Sequence, residues 1–343
     1  MSARPEKILA LQFKYFGDGV LLTPALRALR EHFPNAELHL LVPAEIAPLF
    51  QHLPWLDRVW AMPRRRGHAS LRETWPIIRA LRREKFDRSV DFAGNDRGAI
   101  LSFLSGARRR LGPLEKTSKL FKRICFTESV PAAVLPAPFI DGYLNLLTAW
   151  QVPPPSSKRQ EILSDPALAG EAARILSGKR ILCHIATSQQ KKEWPLARWA
   201  EFYRLATAAG LALAFSSGIN DRERGLLAEL EKMEPDIFAL PPVADLRLFL
   251  AILRQAEAVI CGDTGPLHFA AGLGVPVIAL LATGESLVRV APIYDEEHIV
   301  RGTECFCNAR FPHSATCQDA RCCMAAIQPE LVLAALKKNL ASL

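Results

Sequence analysis

The residue types that invite chemistry are densest in Gly262-Asp263-Thr264-Gly265-Pro266-Leu267-His268. An apolar run, Ala258 to Cys261, precedes this segment and reads as a strand, and apolar residues from Leu267 to Leu273 follow it at helical spacing. A helix that starts directly after a strand turns unpaired amide donors and the positive end of its dipole outward, which favours an anion. Proline suits the first helical position because its missing N–H has no partner there in any case. Gly265 lets an anion approach the backbone, and the Thr264 hydroxyl and His268 imidazole add donors. A diphosphate is the guest this set fits. The plainer alternative makes Asp263 or Thr264 a helix cap and His268 a core residue.

Two further segments carry reactive groups. In Phe16-Gly17-Asp18-Gly19 a lone carboxylate stands between two glycines, after the first apolar run and at the opening of the first helix. It can take a proton from an incoming hydroxyl, or it can serve as an ordinary cap. The loop Thr187-Ser188-Gln189-Gln190-Lys191-Lys192-Glu193-Trp194-Pro195 offers hydroxyls and two ammonium groups that can hold a diphosphate and offset charge on a leaving group. Its alternative is a solvated loop with Trp194-Pro195 packed at a helix start. Other chemistries lack their signatures. The first strand is not followed by Gly-x-Gly-x-x-Gly, and there is no Walker-type Gly-Lys-Ser/Thr and no Gly-x-Ser-x-Gly elbow. With no Asp-x-Asp pair in these loops, a catalytic divalent ion is not indicated and metal-independent chemistry is expected.

The elements that position these groups alternate in kind. Ile8–Phe13, Leu38–Val42, Arg58–Ala61 and Phe86–Phe92 read as strands, with helices at Val20–Phe33, Ile46–Leu53, Leu71–Arg83, Arg97–Leu104 and Gly142–Trp150. Prolines from Pro131 to Pro138 and Pro153-Pro154-Pro155 then punctuate the chain, with a linker expected near residues 151–163. The alternation resumes with strands at Arg180–Ile185, Leu211–Ser216, Ala258–Cys261 and Val275–Leu281. Helices fall at Leu196–Ala208, Asp221–Glu231, Leu246–Gln255, Leu267–Leu273 and Glu330–Leu340. The rhythm implies parallel sheets covered by helices on both faces. A length of 343 residues suits two such domains, expected at residues 1–155 and 156–343, with the final helix free to pack back on the first. Ligands of such sheets gather at the carboxyl ends of the strands.

Charge and cysteine are unevenly placed. Between Arg58 and Arg123 there are 18 Lys and Arg against 6 Asp and Glu, including Arg64-Arg65-Arg66 and Arg108-Arg109-Arg110, so this region attracts anions. It lacks the interleaved aromatics of a single-strand binder and any helix-turn-helix, zinc-finger or RNA-recognition signature, so nucleic acid is not the expected partner. An anionic membrane surface or a solvated basic face remains. No signal peptide is evident at MSARPEKILALQF and no apolar run nears the ~20 residues of a membrane span, so a cytosolic protein is expected. Cys125, Cys183 and Cys261 sit in apolar stretches and read as core. Cys305, Cys307, Cys317 and Cys322-Cys323 crowd one segment and supply enough thiolates for a structural zinc or iron, the alternative being free thiols.

Taken together, the three segments resemble the ADP-heptose:lipopolysaccharide heptosyltransferase family of inverting glycosyltransferases. The resemblance runs from Gly17-Asp18 and Leu21-Leu22-Thr23-Pro24-Ala25-Leu26, through Asp91–Arg97, Gly106 and Arg110-Leu111-Gly112, to Lys192-Glu193-Trp194-Pro195. It ends in Asp263-Thr264-Gly265-Pro266-Leu267-His268 and Gly274-Val275-Pro276-Val277. It implies the α/β GT-B fold, two facing Rossmann-like doubly wound domains with a cleft between them. The first would bind the acceptor and the second the donor, with no cofactor required. By resemblance Asp18 is the catalytic base, and Lys192 stabilises the leaving group. Thr187, Ser188, Lys192, Asp263, Thr264, Gly265 and His268 are donor contacts, Val243 ends the adenine segment begun at Leu240, and Asp221 falls near the ribose position. Lys14, Gly17, Asn95, Arg97, Arg64 and Arg65 are assigned to an anionic, lipid-linked oligosaccharide acceptor. The implied activity is inverting transfer of a heptose or similar sugar from an ADP-sugar, at the cytoplasmic face of the inner membrane. A sugar-nucleotide epimerase or a non-catalytic ADP- or UDP-sugar-binding protein of the same architecture is the alternative.

Overall fold

The computed structural model describes residues 4–63, 71–115, 118–131, 138–282, 290, 294–295, 298–302 and 323–341. The acceptor candidates Arg64 and Arg65 and the metal candidates Cys305, Cys307, Cys317 and Cys322 lie outside them. The chain divides into two units, Met1–Leu163 and Ser164–Leu343.

In the first unit, β1 (Lys7–Leu11), β2 (Glu37–Pro43), β3 (Arg58–Met62), β4 (Arg88–Asp91), β5 (Arg109–Leu114) and β6 (Glu128–Pro131) form one parallel sheet in the order β3-β2-β1-β4-β5-β6. Residues 8–11 of β1 are fully buried because helices cover both faces of a central parallel strand. The helices are α1 (Phe16–Leu21), α2 (Thr23–His32), α3 (Leu71–Glu84), α4 (Asp96–Leu104), α5 (Leu120–Cys125) and α6 (Phe139–Leu147). The single helix expected over 20–33 is two helices. Pro24 has no amide to donate to the carbonyl of Val20, and the Thr23 hydroxyl takes that carbonyl instead at 2.7 Å, so the helix breaks at Leu22. The short helix expected at 46–53 is one 3₁₀ turn, Ala47–Leu49.

In the second unit, β7 (Ile181–His184), β8 (Leu213–Ser216), β9 (Ala258–Gly262), β10 (Val277–Leu281) and β11 (Ile299–Arg301) form a parallel sheet in the order β11-β10-β9-β7-β8. Around it lie α7 (Ala169–Leu176), α8 (Leu196–Ala208), α9 (Asp221–Met233), α10 (Leu246–Gln255), α11 (Gly265–Gly272) and α12 (Pro329–Ala341). The terminal helix α12 packs on α8 and against β9, β10 and β11. Its Val332 and Leu336 join a core with Trp194, Trp199, Phe202, Phe215, Met324 and Ile327. The Trp194 indole N–H donates to the Ile327 carbonyl at 3.1 Å. Among the described residues no helix is long and apolar enough to cross a membrane.

Candidate functional site

Each sheet winds outward from two central strands, and the crevice where the winding reverses is where doubly wound folds hold ligands. In the first unit the reversal lies between β1 and β4; in the second it lies between β7 and β9. Most of the candidate site residues follow one of these four strands.

Asp18 sits in the first turns of α1, directly beyond β1, and is partly buried. Its Oδ2 accepts the backbone N–H of Tyr15 at 3.3 Å; Tyr15 is the N-cap and Asp18 the third residue of the helix, so the carboxylate reaches back to the cap and is not itself the cap. Its Oδ1 accepts the Tyr143 hydroxyl at 3.0 Å. Tyr143 is carried in by α6, where it is buried and edge-on to Phe92, and its oxygen accepts the side-chain N–H of buried Gln12 at 3.1 Å. The lone acid is therefore the end of a chain of oriented dipoles that starts at Gln12, the buried residue just after β1. Nothing in the sequence near residue 18 announces Tyr143, because 125 positions separate the two.

Beyond β4, Asn95 caps α4. Its Oδ1 accepts from the Gly98 amide at 2.9 Å, and its Nδ2 donates to the Phe13 carbonyl at 3.3 Å. The Arg97 guanidinium lies 5.8 Å from the centre of the Phe13 ring. Asn95 and Arg97 thus gather against the segment that leads to Lys14, Gly17 and Asp18. Asp91, at the end of β4, is fully buried. Burial raises its carboxyl pKa to about 7, opposed by the Ala93 and Gly94 amides and the charges of Lys122 and Lys14.

In the second unit the loop after β7 is folded onto itself. The Thr187 hydroxyl donates to the Gln189 carbonyl at 2.6 Å, and the Thr187 amide donates to Glu193 Oε1 at 3.1 Å. Arg222, from the start of α9, pairs with Glu193 at 2.7 Å and also bonds the Thr187 carbonyl. This clamp on the loop was not legible from the sequence. Ser188 is exposed at the turn. Gly262 lets the loop press on the end of β9: a Cβ there would stand 3.0 Å from both the Lys192 carbonyl and a Thr187 methyl. Lys192 consequently reaches across to Asp263, with 2.6 Å between Nζ and Oδ2.

Helix α11 opens with Gly265, so Pro266 is its second residue and not its first. The Leu267 amide, expected to point outward, donates to the Thr264 carbonyl at 3.2 Å and closes the turn. His268 is buried. Its Nδ1 lies 2.8 Å from the Tyr294 hydroxyl and its Nε2 lies 4.0 Å from Asp263, so it supports the Lys192–Asp263 pair from behind. Thr187, Lys192, Asp263 and His268 are brought together at the strand ends, with Thr264 and Gly265 opening the helix beside them. Val243 and Asp221 lie on the β8 side. Val243 is partly buried, following a short parallel bridge between Phe215 and Ala239. Asp221 begins α9 with a carboxylate that is 95% exposed and paired to Arg224.

Among the described residues no group of three or more His, Cys, Asp or Glu is placed to hold a metal ion. Cys125, Cys183, Cys261 and Cys323 are buried, and burial pushes the Cys183 and Cys261 thiols upward in pKa.

The sequence matches the model of glycosyltransferase family 9 (heptosyltransferase) over residues 74–318. A lipopolysaccharide core heptosyltransferase, OpsX of Haemophilus influenzae, is 24% identical over 345 residues, covering 97% of each chain. The structure of a family 9 glycosyl transferase from Veillonella parvula is similar with a TM-score of 0.82 at 18% identity, over 100% of this chain and 99% of that one. The Escherichia coli ADP-heptose lipopolysaccharide heptosyltransferase II is similar with a TM-score of 0.76 at 18% identity, over 98% and 99%. At these identities the structural likenesses speak to the fold alone, and that fold is GT-B.

Proposed function

The chain belongs to glycosyltransferase family 9 (heptosyltransferase), and from that premise we propose that it transfers a heptose or similar sugar from an ADP-sugar to a lipopolysaccharide core or related glycan, with Asp18 as general base. The observation that carries this reading is the anchoring of Asp18: a partly buried carboxylate at the first switch point, held in one orientation by Tyr143 and the Tyr15 amide. The acceptor hydroxyl gives its proton to Asp18 while its oxygen attacks the anomeric carbon. The bond from that carbon to the diphosphate breaks on the opposite face, the diphosphate leaves with the electron pair, and configuration inverts, as in the water-activating geometry of inverting glycosidases. Lys192 and the start of α11 meet the charge that develops on the leaving group. Thr187, Ser188, Asp263, Thr264, Gly265 and His268 complete the diphosphate site. Val243 borders the adenine and Asp221 the ribose. The named relatives support the donor and acceptor classes, since one is titled an ADP-heptose enzyme and the other a lipopolysaccharide core enzyme.

Lys14, Gly17, Asn95 and Arg97 receive an anionic, lipid-linked oligosaccharide; the further acceptor candidates Arg64 and Arg65 lie outside the described residues. Substitution Asp18→Asn tests the base. Transfer should fall by about 10²-fold or more while ADP binding persists. Near-normal turnover in that variant removes the assignment. Incubation with the ADP-sugar alone separates the neighbouring activities, because an epimerase returns an altered sugar and a binding protein returns the sugar unchanged.

A further inference from the structure

The first unit exposes apolar side chains where a water-facing surface gains nothing from them. Ile100 and Phe103 on α4 are 43% and 46% exposed, and Leu120 and Ile124 on α5 are 74% and 61% exposed. The first pair is spaced i, i+3 and the second i, i+4, so each pair shares one face of its helix. Two bridges fix how the helices lie together. At their starts Lys119, just before α5, pairs with Asp96 of α4 at 3.2 Å. At their ends the Arg110 guanidinium stands 5.5 Å from the centre of the Phe103 ring while its Nε donates to the Cys125 carbonyl at 2.7 Å. The two helices therefore run side by side in the same direction, with Ala99, Cys125 and Phe126 packed beneath. Their apolar faces form one strip. Arg97, Lys119, Lys122 and Arg123 lie on or next to these helices, and the only carboxylate on the two helices is Asp96.

We propose that the α4–α5 strip is the surface by which this enzyme docks on a bilayer carrying anionic lipid. The proposal deepens the reading of a lipid-linked acceptor and rests on it. Apolar side chains flanked by cations are the composition of an interfacial helix: the former enter the acyl boundary and the latter meet lipid phosphates. The same helix α4 begins with Asn95 and Arg97, the acceptor candidates, so the docked face and the glycan-binding face are one turn apart. A second copy of this chain would bring the same excess of positive charge to the strip, which disfavours self-association through it.

Flotation of the full chain with phosphatidylcholine vesicles, with or without phosphatidylglycerol, tests the proposal. Wild-type protein should float with the anionic vesicles and less so as salt rises. The variant Leu120→Ser/Ile124→Ser should partition roughly tenfold less, with its melting temperature unchanged because both side chains are exposed. Lys119→Ala/Arg123→Ala should bind less tightly and respond less to salt. All three proteins should turn over a delipidated acceptor equally. Wild-type protein that ignores anionic vesicles, a double serine variant that floats like wild type, or a light-scattering dimer abolished by the serines would each overturn the proposal. Loss of turnover on the delipidated acceptor in the wild type, with vesicle binding intact, would instead sink the acceptor reading and leave the docking surface standing.

Discussion

At the scale of single residues, Asp18 is held by one side-chain contact and one backbone contact. The Tyr143 hydroxyl donates to Asp18 Oδ1 and accepts from Gln12, whereas the Tyr143 ring packs against Phe92. Tyr143→Phe keeps the ring and removes only the bridge. The carboxylate then keeps its backbone bond to Tyr15 but loses the contact that fixes its free rotation, and Gln12 is left with a buried donor unmet. Steady-state kinetics should show kcat lower by roughly 3- to 10-fold with the KM for nucleotide sugar unchanged, a cost of about 1 kcal/mol in the transition state. Unaltered kcat would show that the base needs no such support. Lys192→Ala has a different consequence. It removes a cation from the proposed diphosphate site and takes the ammonium away from the Asp263 carboxylate. Titration with ADP should show affinity reduced by roughly 10- to 100-fold, since the Asp263 charge, no longer offset by the ammonium, repels the incoming anion. Adding Asp263→Ala to that variant should restore part of the loss.

At the scale of elements, β4 and α4 are fitted to one another through Asp91 and Gly98. A Cβ on Gly98 would stand 2.2 Å from Asp91 Oδ1, closer than any real contact. Gly98→Ala should therefore destabilise the protein by about 1–3 kcal/mol, seen as a lower denaturation midpoint. The burial that packs Asp91 also raises its pKa to about 7, against roughly 3.9 in the unfolded chain. Between those values the folded state holds a proton that the unfolded state releases, so this group's contribution to stability declines as pH rises from about 4 to 7 and is level above that. The slope is at most about 1.4 kcal/mol per pH unit. Asp91→Asn removes the titration. Melting followed from pH 5 to pH 8 should show the variant gaining on the wild type up to neutrality and no further.

The strands and helices that flank the two switch points were legible because each is a run of apolar residues with one period. At the rim the edge strands β3 and β8 were legible too, but other elements were not. β5 opens with Arg109 and Arg110, which read as part of a charge cluster, and β6 alternates partly buried and exposed residues over only four positions. Helix α7 was missed as well, because only Ala172 and Leu176 of its residues are buried. The motifs of the site were visible for the same reason as the central strands, since they are local. Tyr143 and Arg222 were invisible because each meets its partner only after separate elements have packed.

At the scale of the whole molecule, the groups assigned to the donor fall in the second unit. Thr187, Lys192, Asp263, Thr264, Gly265 and His268 lie within Ser164–Leu343, as do Asp221 and Val243. That unit has its own parallel sheet and its own core, which α12 closes through Val332 and Leu336. A fragment of residues 164–343 should therefore fold alone and bind ADP with a Kd within roughly 3-fold of the intact chain, because every residue assigned to the donor lies within it. It should transfer no sugar, as it lacks Asp18. Its response to acid follows from His184, whose pKa burial lowers to about 4 from an ordinary 6.5. The unfolded chain takes up that proton first, so the contribution of His184 to stability is fully present above pH 6.5 and is lost as pH falls toward 4. Calorimetric titration of the fragment with ADP at pH 7.5, with melting followed down to pH 4.5, checks both expectations. A fragment with a cooperative melt and no affinity for ADP would show that the first unit supplies part of the donor site.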